Sequence, residues 1–202
     1  KDLLVKLDHI ADVEYTFKKP EWINPEEFVE SYIQKHENGW VNFKPILKWT
    51  KGHNLADKDL TGLSGETILR KGEPIYTMMF PRDALKQILD NIVSNAISHG
   101  FKDESRNDYQ LRFSWETDGI ALKMCVENNG LPIPADRSTS SLLEYGVSTS
   151  LNSNGHHGIG CNEIDGIMRK YDGKIELVSS PDDEFRVKYI LTFNRTNILK
   201  TL

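Results

Sequence analysis

A helical stretch whose apolar side carries polar residues constrains this chain more than any other feature. Over residues 82–100, a period of 100° per residue places five aliphatic side chains on one arc: Leu85, Ile88, Leu89, Ile92 and Ala96. Asn91, Asn95 and His99 recur every four residues, and this stripe drifts so that Asn95 and His99 enter the apolar arc. A buried amide or imidazole without a partner costs roughly 1–3 kcal/mol. The partner is either neighbouring backbone or a polar ligand such as a metal ion.

Composition narrows the class of protein. The 202 residues fit one domain, and 38% hydrophobic with 27% charged residues is typical of a globular protein. The net charge of -5 argues against a nucleic-acid partner, which normally meets a basic face. Cys125 and Cys161 do not make a disulfide framework, so we expect a reducing, cytoplasmic setting. No stretch of sequence predicts a membrane crossing, so we expect no direct membrane contact, whether or not a parent protein is anchored.

Turn signals and hydrophobic periods divide the first half of the chain. Residues 24–27 (Asn-Pro-Glu-Glu) are a strong helix start, with asparagine as the cap and proline in the first turn. We predict strands at residues 43–49 and 75–80, the second leading into the polar-striped helix. Residues 50–72 have no clear period and are long for a loop, so we interpret them as an insert.

The second half of the chain completes the predicted fold. Alternating apolar residues predict a hairpin that turns at Asp118-Gly119. A third helix follows a glycine-containing segment and closes at Asp172-Gly173, and strands are predicted at residues 174–179 and 185–193. The sum is an α+β two-layer sandwich, in which a mixed, mostly antiparallel sheet is covered on one face by three helices.

Three polar segments carry the candidate chemistry. An asparagine oxygen on the striped helix is a suitable ligand for Mg²⁺, which prefers oxygen. Residues 127–130 (Glu-Asn-Asn-Gly) place a side-chain acceptor at the end of a buried strand, where it can meet an adenine amino group; the alternative is a polar turn. Residues 155–161 open a helix whose unpaired amides and positive dipole end suit phosphate, although glycine at a loop–helix junction is common.

The order and spacing of these segments resemble the ATP-binding domain of sensor histidine kinases, in the superfamily that also contains gyrase, the mismatch-repair ATPases and the heat-shock chaperone ATPases. Residues 91–96 (NIVSNA) resemble the family's N box. Residues 128–132 (NNGLP) resemble its first glycine box, and residues 158–161 (GIGC) its second. Residues 145–149 (YGVST) are similar to the lid motif between the boxes, and the match covers about residues 75–195 and, more weakly, residues 20–50.

The resemblance implies ATP and Mg²⁺ as cofactors and gives each motif a role. Asn95 would coordinate Mg²⁺, Asn128 would meet the adenine, and His99 would line the phosphate end of the pocket. Residues 131–157 would form the ATP lid. The other implied nucleotide contacts are Gly130, Thr149, Gly158, Ile159 and Gly160, with the backbone of the last three cradling phosphates.

Four positions depart from the family pattern. Asn128 replaces the usual aspartate at the adenine, and an uncharged acceptor there is expected to weaken ATP binding by ~1–2 kcal/mol. Pro132 replaces the second glycine of its box and stiffens the entry to the lid. Ser98 stands where many kinases carry a lysine, and Cys161 replaces a leucine.

The residue at position 91 bears on the type of reaction. The ATP-hydrolysing relatives carry a glutamate there as general base; Asn91 cannot take a proton, which favours transfer to a protein acceptor. His9 lacks the acceptor pattern of these kinases, so the direct partner is expected to be a histidine-bearing dimerisation domain of the same or a partner chain, with a response regulator acting indirectly. We expect residues 1–20 to be a linker or stub of a preceding dimerisation helix. Residues 21–202 would be the catalytic domain, including the insert at residues 50–72.

The sequence is also compatible with other functions. One alternative is an interaction module of the same fold that no longer binds ATP because Asn128 replaces the usual aspartate. The insert at residues 50–72 would then be a docking surface. A related ATP hydrolase or serine-type kinase is a further alternative. A zinc site from His156, His157 and Cys161 is also conceivable, but the spacing fits no common ligand pattern.

Overall fold

The computed structural model describes residues 16–36, 39–40, 43–49, 58–59, 74–117, 121–143, 159–194 and 196–200. Its strands are β1 (Glu21–Ile23), β2 (Phe43–Trp49), β3 (Lys58–Asp59), β4 (Pro74–Phe80), β5 (Tyr109–Thr117), β6 (Leu122–Asn128), β7 (Lys174–Ser179), β8 (Val187–Phe193) and β9 (Thr196–Lys200). Its helices are α1 (Pro25–His36), α2 (Arg82–Asn95), α3 (Thr139–Leu143) and α4 (Ile159–Lys170), and a π-helical turn (Ala96–Gly100) continues α2.

Helix α1 begins where the sequence predicts, because Asn24 caps it. The side-chain oxygen of Asn24 accepts from the backbone amides of Glu26 at 3.0 Å and Glu27 at 3.4 Å, which satisfies two of the otherwise unpaired donors of the first turn. The hydroxyl of Tyr32 donates to Asp90 at 3.0 Å and joins α1 to α2. The residues that α1 buries are Pro25, Phe28, Val29, Tyr32 and Ile33.

The main sheet has six strands in the order β3-β2-β5-β6-β8-β7. The pair β2 and β5 is parallel, and every other neighbouring pair in this sheet is antiparallel. One row across the sheet pairs Phe113 with Val126, Val126 with Tyr189, and Tyr189 with Leu177, and all four side chains are buried. Because side chains alternate along a strand, this register sends one complete face of the sheet into the core.

A second, smaller sheet joins β1, β4 and β9, with β4 in the centre and both pairs antiparallel. The sequence predicted the strand at residues 75–80 correctly but gave no sign that it belongs to a separate sheet. Of the insert at residues 50–72, Lys58–Asp59 forms β3 and pairs with the edge of β2. The rest of the insert lies outside the described residues, so its expected role is untested.

Helices α2 and α4 pack on the apolar face of the main sheet. Ile164, Ile167 and Met168 of α4 are fully buried there, as the helical spacing predicts. The predicted end of α4 is also found: Asp172 takes the left-handed conformation with φ 59°, and the amide of Gly173 donates to the carbonyl of Met168 at 2.8 Å. A Cβ on Gly173 would lie 2.9 Å from the backbone oxygen of Thr192 in β8, so the close approach of helix and sheet requires glycine.

The end of α2 departs from the sequence prediction. The amide of Phe101 donates to the carbonyl of Ala96 at 2.8 Å, a five-residue step that widens the turn over Ala96–Gly100. A wider turn advances each residue by less than 100°, so His99 leaves the apolar arc and is exposed. The prediction that His99 faces the core is therefore wrong, whereas Asn95, before the turn, is half-buried.

The predicted fold class is confirmed: a mixed sheet carries helices on one face, and the larger of these are α1, α2 and α4. Phe185, at the start of the predicted strand at residues 185–193, does not join the main core. It is buried, but it lies outside the main core cluster and packs under the guanidinium of Arg112, 3.8 Å from the ring centroid. None of the helices in the described ranges has the length and apolarity that a membrane crossing needs.

Candidate functional site

Helices α2 and α4 are joined by a carboxylate that the sequence did not single out. Glu163 of α4 accepts from the side-chain amides of two residues one turn apart on α2. Its Oε1 accepts from Gln87 Nε2, and its Oε2 accepts from Asn91 Nδ2 at 2.8 Å. Bonds with a charged acceptor are the stronger kind. They fix the side chain of Asn91 against α4.

The side-chain nitrogen of Asn95 also contacts the protein, through residues of β8 and α4. Its Nδ2 donates to Tyr189 Oη at 3.4 Å and lies 3.6 Å from Cys161 Sγ. Burial raises the pKa of the Tyr189 phenol well above its ordinary value and also raises the pKa of the Cys161 thiol, so both groups are neutral at physiological pH. The nitrogen end of the Asn95 amide is thus occupied by the protein.

The absence of a side chain at Gly160 makes room beside Asn95. A Cβ on Gly160 would lie 3.4 Å from Asn95 Nδ2, 3.5 Å from Asn95 Oδ1 and 3.9 Å from Asn91 Cβ. The second glycine segment and the polar stripe therefore meet in space, as the sequence predicted. Gly158 lies outside the described residues, so its predicted convergence on Asn95 is untested.

A second contact brings the end of α2 against the end of β6. A Cβ on Gly130 would lie 2.7 Å from the carbonyl carbon and oxygen of Gly100, which leaves no space for any other residue. The amide of Leu131 donates to the carbonyl of Gly100 at 2.9 Å. Asn128 is 3% exposed beside this contact, and its Oδ1 accepts from the amide of Gly130 at 3.1 Å. The residue predicted for adenine thus lies next to the π-helical turn.

The neighbours of Asn128 have structural roles. Asn129 Oδ1 accepts from the amide of Gln110 and its Nδ2 donates to the carbonyl of Asp108, both at 2.8 Å, so this side chain continues the pairing of the strands. Glu127 points to the opposite face of the sheet, where Arg112 donates to it at 2.7 Å. Of the three polar residues in the strand-end motif, Asn128 alone faces the helices.

His99 lies at the cationic side of this region. Although the side chain of His99 is exposed at the surface, the protein around its ring displaces part of the solvent, which lowers the pKa of the imidazole, and the positive charges of Lys102 and Arg137 lower it further. The imidazole is therefore neutral at physiological pH. Lys102 and Arg137 bring positive charge to the same neighbourhood, which suits an anionic ligand.

The first part of the predicted lid is docked on the domain. The amide of Ile133 donates to Ser179 Oγ at 3.0 Å, and Asn162 Nδ2 donates to the carbonyl of Leu143, the last residue of α3, at 3.2 Å. The second part, residues 144–157, lies outside the described residues. It includes the predicted nucleotide contact Thr149 and also His156 and His157.

Three of the residues that shape this site were missed from sequence. Gln87 precedes Asn91 by four residues, so extending the polar stripe by one turn would have included it. Glu163 follows Gly160 by three residues on the same helix, but its partners lie 72 and 76 residues away. Tyr189 fits the alternation of β8 as an ordinary core residue. Only the packing of α2 against α4, and the contact of both helices with β8, brings these residues together.

A family model described as "Histidine kinase-, DNA gyrase B-, and HSP90-like ATPase" matches residues 81–195, which is more than half of the chain. The chain belongs to this family, and the resemblance inferred from its motifs is confirmed. No protein of curated function matches the chain in sequence.

Solved structures of histidine kinases share the fold at low sequence identity. The catalytic domain of the histidine kinase ThkA matches with a TM-score of 0.60 at 18% identity, covering 88% of this chain and 97% of that one. The mycobacterial sensor histidine kinase MprB matches with a TM-score of 0.60 at 10% identity, covering 89% and 99%. Full-length ShkA in complex with AMPPNP matches with a TM-score of 0.63 at 10% identity, covering 98% of this chain and 36% of that one.

Proposed function

We propose that this domain binds Mg²⁺-ATP and transfers the γ-phosphoryl group to a histidine on a separate dimerisation domain of a two-component sensor kinase. The observation that carries the proposal is the meeting of Asn95 with Gly160, where a polar side chain on α2 faces the first turn of α4. That turn has unpaired backbone amides and the positive end of the helix dipole, and it offers them to an anion. Family membership and the shared fold support this interpretation.

The chemistry of Asn95 fits a magnesium ligand. Its nitrogen faces Tyr189 and Cys161, and the described residues supply no donor to its Oδ1. A carbonyl oxygen is a ligand that Mg²⁺ accepts, and the ion commonly takes only one or two ligands from protein, with phosphates and water completing its shell. Within the described ranges no group of three histidine, cysteine or acidic side chains is arranged to hold a metal. Bound Mg²⁺ would neutralise charge on the transferring phosphate.

The other motif residues would place the nucleotide. The backbone of Gly158, Ile159 and Gly160 would hold phosphate oxygens, and Asn128 would accept from the adenine amino group. His99 would lie at the phosphate end, where a neutral imidazole can donate one hydrogen bond. The adenine half of this proposal rests on the burial of Asn128 between the end of β6 and the π-helical turn. Residues 131–157, including Thr149, would close over the nucleotide as the lid.

The reaction proposed is transfer rather than hydrolysis. The acceptor imidazole nitrogen attacks the γ-phosphorus, the bond to the β-phosphate oxygen breaks, and ADP leaves. Asn91 has no group that can take a proton from water, and its nitrogen is bonded to Glu163. The domain therefore contributes positioning and charge neutralisation. A response regulator would receive the phosphoryl group afterwards, in the cytoplasm.

Nucleotide titration of an Asn95→Ala variant tests the proposal. We expect the wild-type chain to bind AMPPNP more tightly with Mg²⁺ than with EDTA, and the variant to lose this gain by roughly tenfold to a hundredfold, because a metal ligand is removed. Ser94→Ala is the matched control, since Ser94 is the exposed neighbour of Asn95 on α2. A wild-type chain that binds no nucleotide up to millimolar concentration would refute the proposal. Phosphotransfer is tested by acid-labile labelling of a histidine-bearing dimerisation domain from γ-labelled ATP.

A second function, that of an interaction module without ATP, is favoured by one observation. Asn128 Oδ1 already accepts from Gly130, and a Cβ on Gly100 would lie only 3.0 Å from the same oxygen. A ligand reaching Asn128 would share an oxygen that the protein already uses. The same nucleotide titration separates the two functions.

A further inference from the structure

We infer that Glu163 is a positioning residue of this site, which orients Asn91 and makes nucleotide binding depend on a divalent cation. The inference rests on the proposed function, since it concerns the same nucleotide. Glu163 is half-buried on the face of α4 that packs against α2, and it reaches across to both Gln87 and Asn91. Glu163 does not belong to the first turn of α4, which would bind the phosphates. It lies three residues beyond Gly160, about 4.5 Å further along the helix axis.

The carboxylate dictates which end of the Asn91 amide faces it. A carboxylate can only accept hydrogen bonds, so the amide nitrogen must point to Glu163, as the 2.8 Å contact shows. Turning the amide would bring its oxygen against a carboxylate oxygen and would leave the nitrogen without its acceptor. Asn91 Oδ1, for which the described residues supply no donor, therefore remains available on the same helix face as Asn95.

Asn91 and Asn95 thus present the same polarity. In each case the nitrogen is tied to the protein, by Glu163 for Asn91 and by Tyr189 and Cys161 for Asn95. In each case the described residues supply no donor to the oxygen, and Gly160 lies next to both side chains. Two carbonyl oxygens one turn apart suit a cation or its bound water better than they suit a phosphate.

The charge of Glu163 adds to this preference. In the described part of the chain its partners are two neutral amides, and no lysine or arginine is paired with it. An unneutralised carboxylate one helical turn from the phosphate cradle opposes a bare polyphosphate and favours a cation, because the partly buried setting weakens solvent screening. The nucleotide is therefore accepted with its metal ion and disfavoured without it.

The experiment compares AMPPNP affinity in Mg²⁺ with AMPPNP affinity in EDTA, on the full chain, and reports the ratio. Glu163→Gln removes the charge at constant size, and we expect the ratio to fall roughly tenfold. Asp165→Asn removes a carboxylate from the same helix that is bonded to Arg169 instead, and its ratio should equal that of the wild type. The double variant Gln87→Glu with Glu163→Gln exchanges the two groups and keeps both hydrogen bonds. It should restore the ratio to within about twofold, since it returns the charge to the same pair of side chains.

The outcomes separate this inference from the proposed function. A wild-type chain that binds AMPPNP in neither condition overturns both. Magnesium-dependent binding by the wild type, together with equal ratios in Glu163→Gln and Asp165→Asn, overturns the role of Glu163 alone. Where Glu163→Gln fails to fold by circular dichroism, the exchange variant decides: recovery of the wild-type ratio supports the inference, and its loss overturns it.

Discussion

The two ends of the candidate site are built in different ways. Between α2 and α4, side chains form hydrogen bonds with side chains across the helix interface. Asn91 and Asn95 use their amide nitrogens there, and the described residues supply no donor to their amide oxygens. Between the π-helical turn and β6, backbone meets backbone, because Gly100 and Gly130 leave no room for side chains. At the α2–α4 end, a substitution can change a single polar atom and leave the packing of the helices as it is. The second end is fixed by close packing, which tolerates almost no added volume.

The largest expected effect comes from adding one methyl group to the packed end. In Gly130→Ala the new Cβ would lie 2.7 Å from the backbone of Gly100, so the strand end or the π-helical turn must move. We expect the free energy of unfolding to fall by about 2–4 kcal/mol in chemical denaturation. Gly39→Ala is the control, since a Cβ there would meet nothing within 4 Å. Equal stability of the two variants would show that the packed end is looser than the structure indicates.

The next effect concerns the acceptor at the packed end. Asn128→Asp keeps the shape of the side chain and adds a charge, which strengthens a bond from an adenine amino group. We expect Mg²⁺-AMPPNP to bind about tenfold more tightly, the gain of a charged over a neutral acceptor. Affinity is measured by titration calorimetry.

The matched control is the neighbouring amide. Asn129→Asp places a carboxylate against the carbonyl of Asp108, to which Asn129 now donates, so it should lower stability and leave nucleotide affinity unchanged. An affinity that does not rise in Asn128→Asp would favour the interaction module over the ATP-binding domain.

How far the sequence predicted this site depends on the distance over which each contact is made. Helix α1 and its Asn24 cap, the strand at residues 43–49 and the end of α4 follow from short-range signals, and all are confirmed. The meeting of Asn95 with Gly160 followed from motif order, because the chain matched a known arrangement. Local spacing alone would not have joined two segments 65 residues apart.

What the sequence could not predict has physical reasons. The predicted position of His99 was wrong because a period of 100° per residue does not hold where the turn widens at Ala96–Gly100. No residue type in that segment predicts the wider turn. The separate sheet around β4 was missed because its pairing with β9 joins distant parts of the chain. Tyr189 and Glu163 were missed because each looks ordinary within its own element. Asn129, grouped with Asn128 by sequence, is occupied by strand pairing instead.

A smaller effect is expected at the side-chain end. Tyr189→Phe removes the hydroxyl that accepts from Asn95, and we expect about 1 kcal/mol lower stability together with a weaker dependence of AMPPNP affinity on Mg²⁺. Tyr109→Phe is a matched control, because its buried hydroxyl accepts from the amide of Asp103 at 2.8 Å, away from α4. The two variants should lose similar stability, and only Tyr189→Phe should change the magnesium dependence. The same change in Tyr109→Phe would show that Asn95 is not positioned by Tyr189.

The smallest effect is a pH dependence at His99. Because the pKa of His99 is lowered in the folded chain, the unfolded chain binds a proton more readily below its ordinary value of about 6.5. The stabilising contribution of neutral His99 is therefore complete above that pH and is lost as the pH falls through the lower pKa of the folded state. Comparing urea denaturation of wild type and His99→Gln from pH 7.5 to 5 isolates this contribution from the other histidines, and stability should fall less steeply in the variant. Parallel curves would show that neither burial nor the charges of Lys102 and Arg137 lower the pKa of His99 in the folded chain.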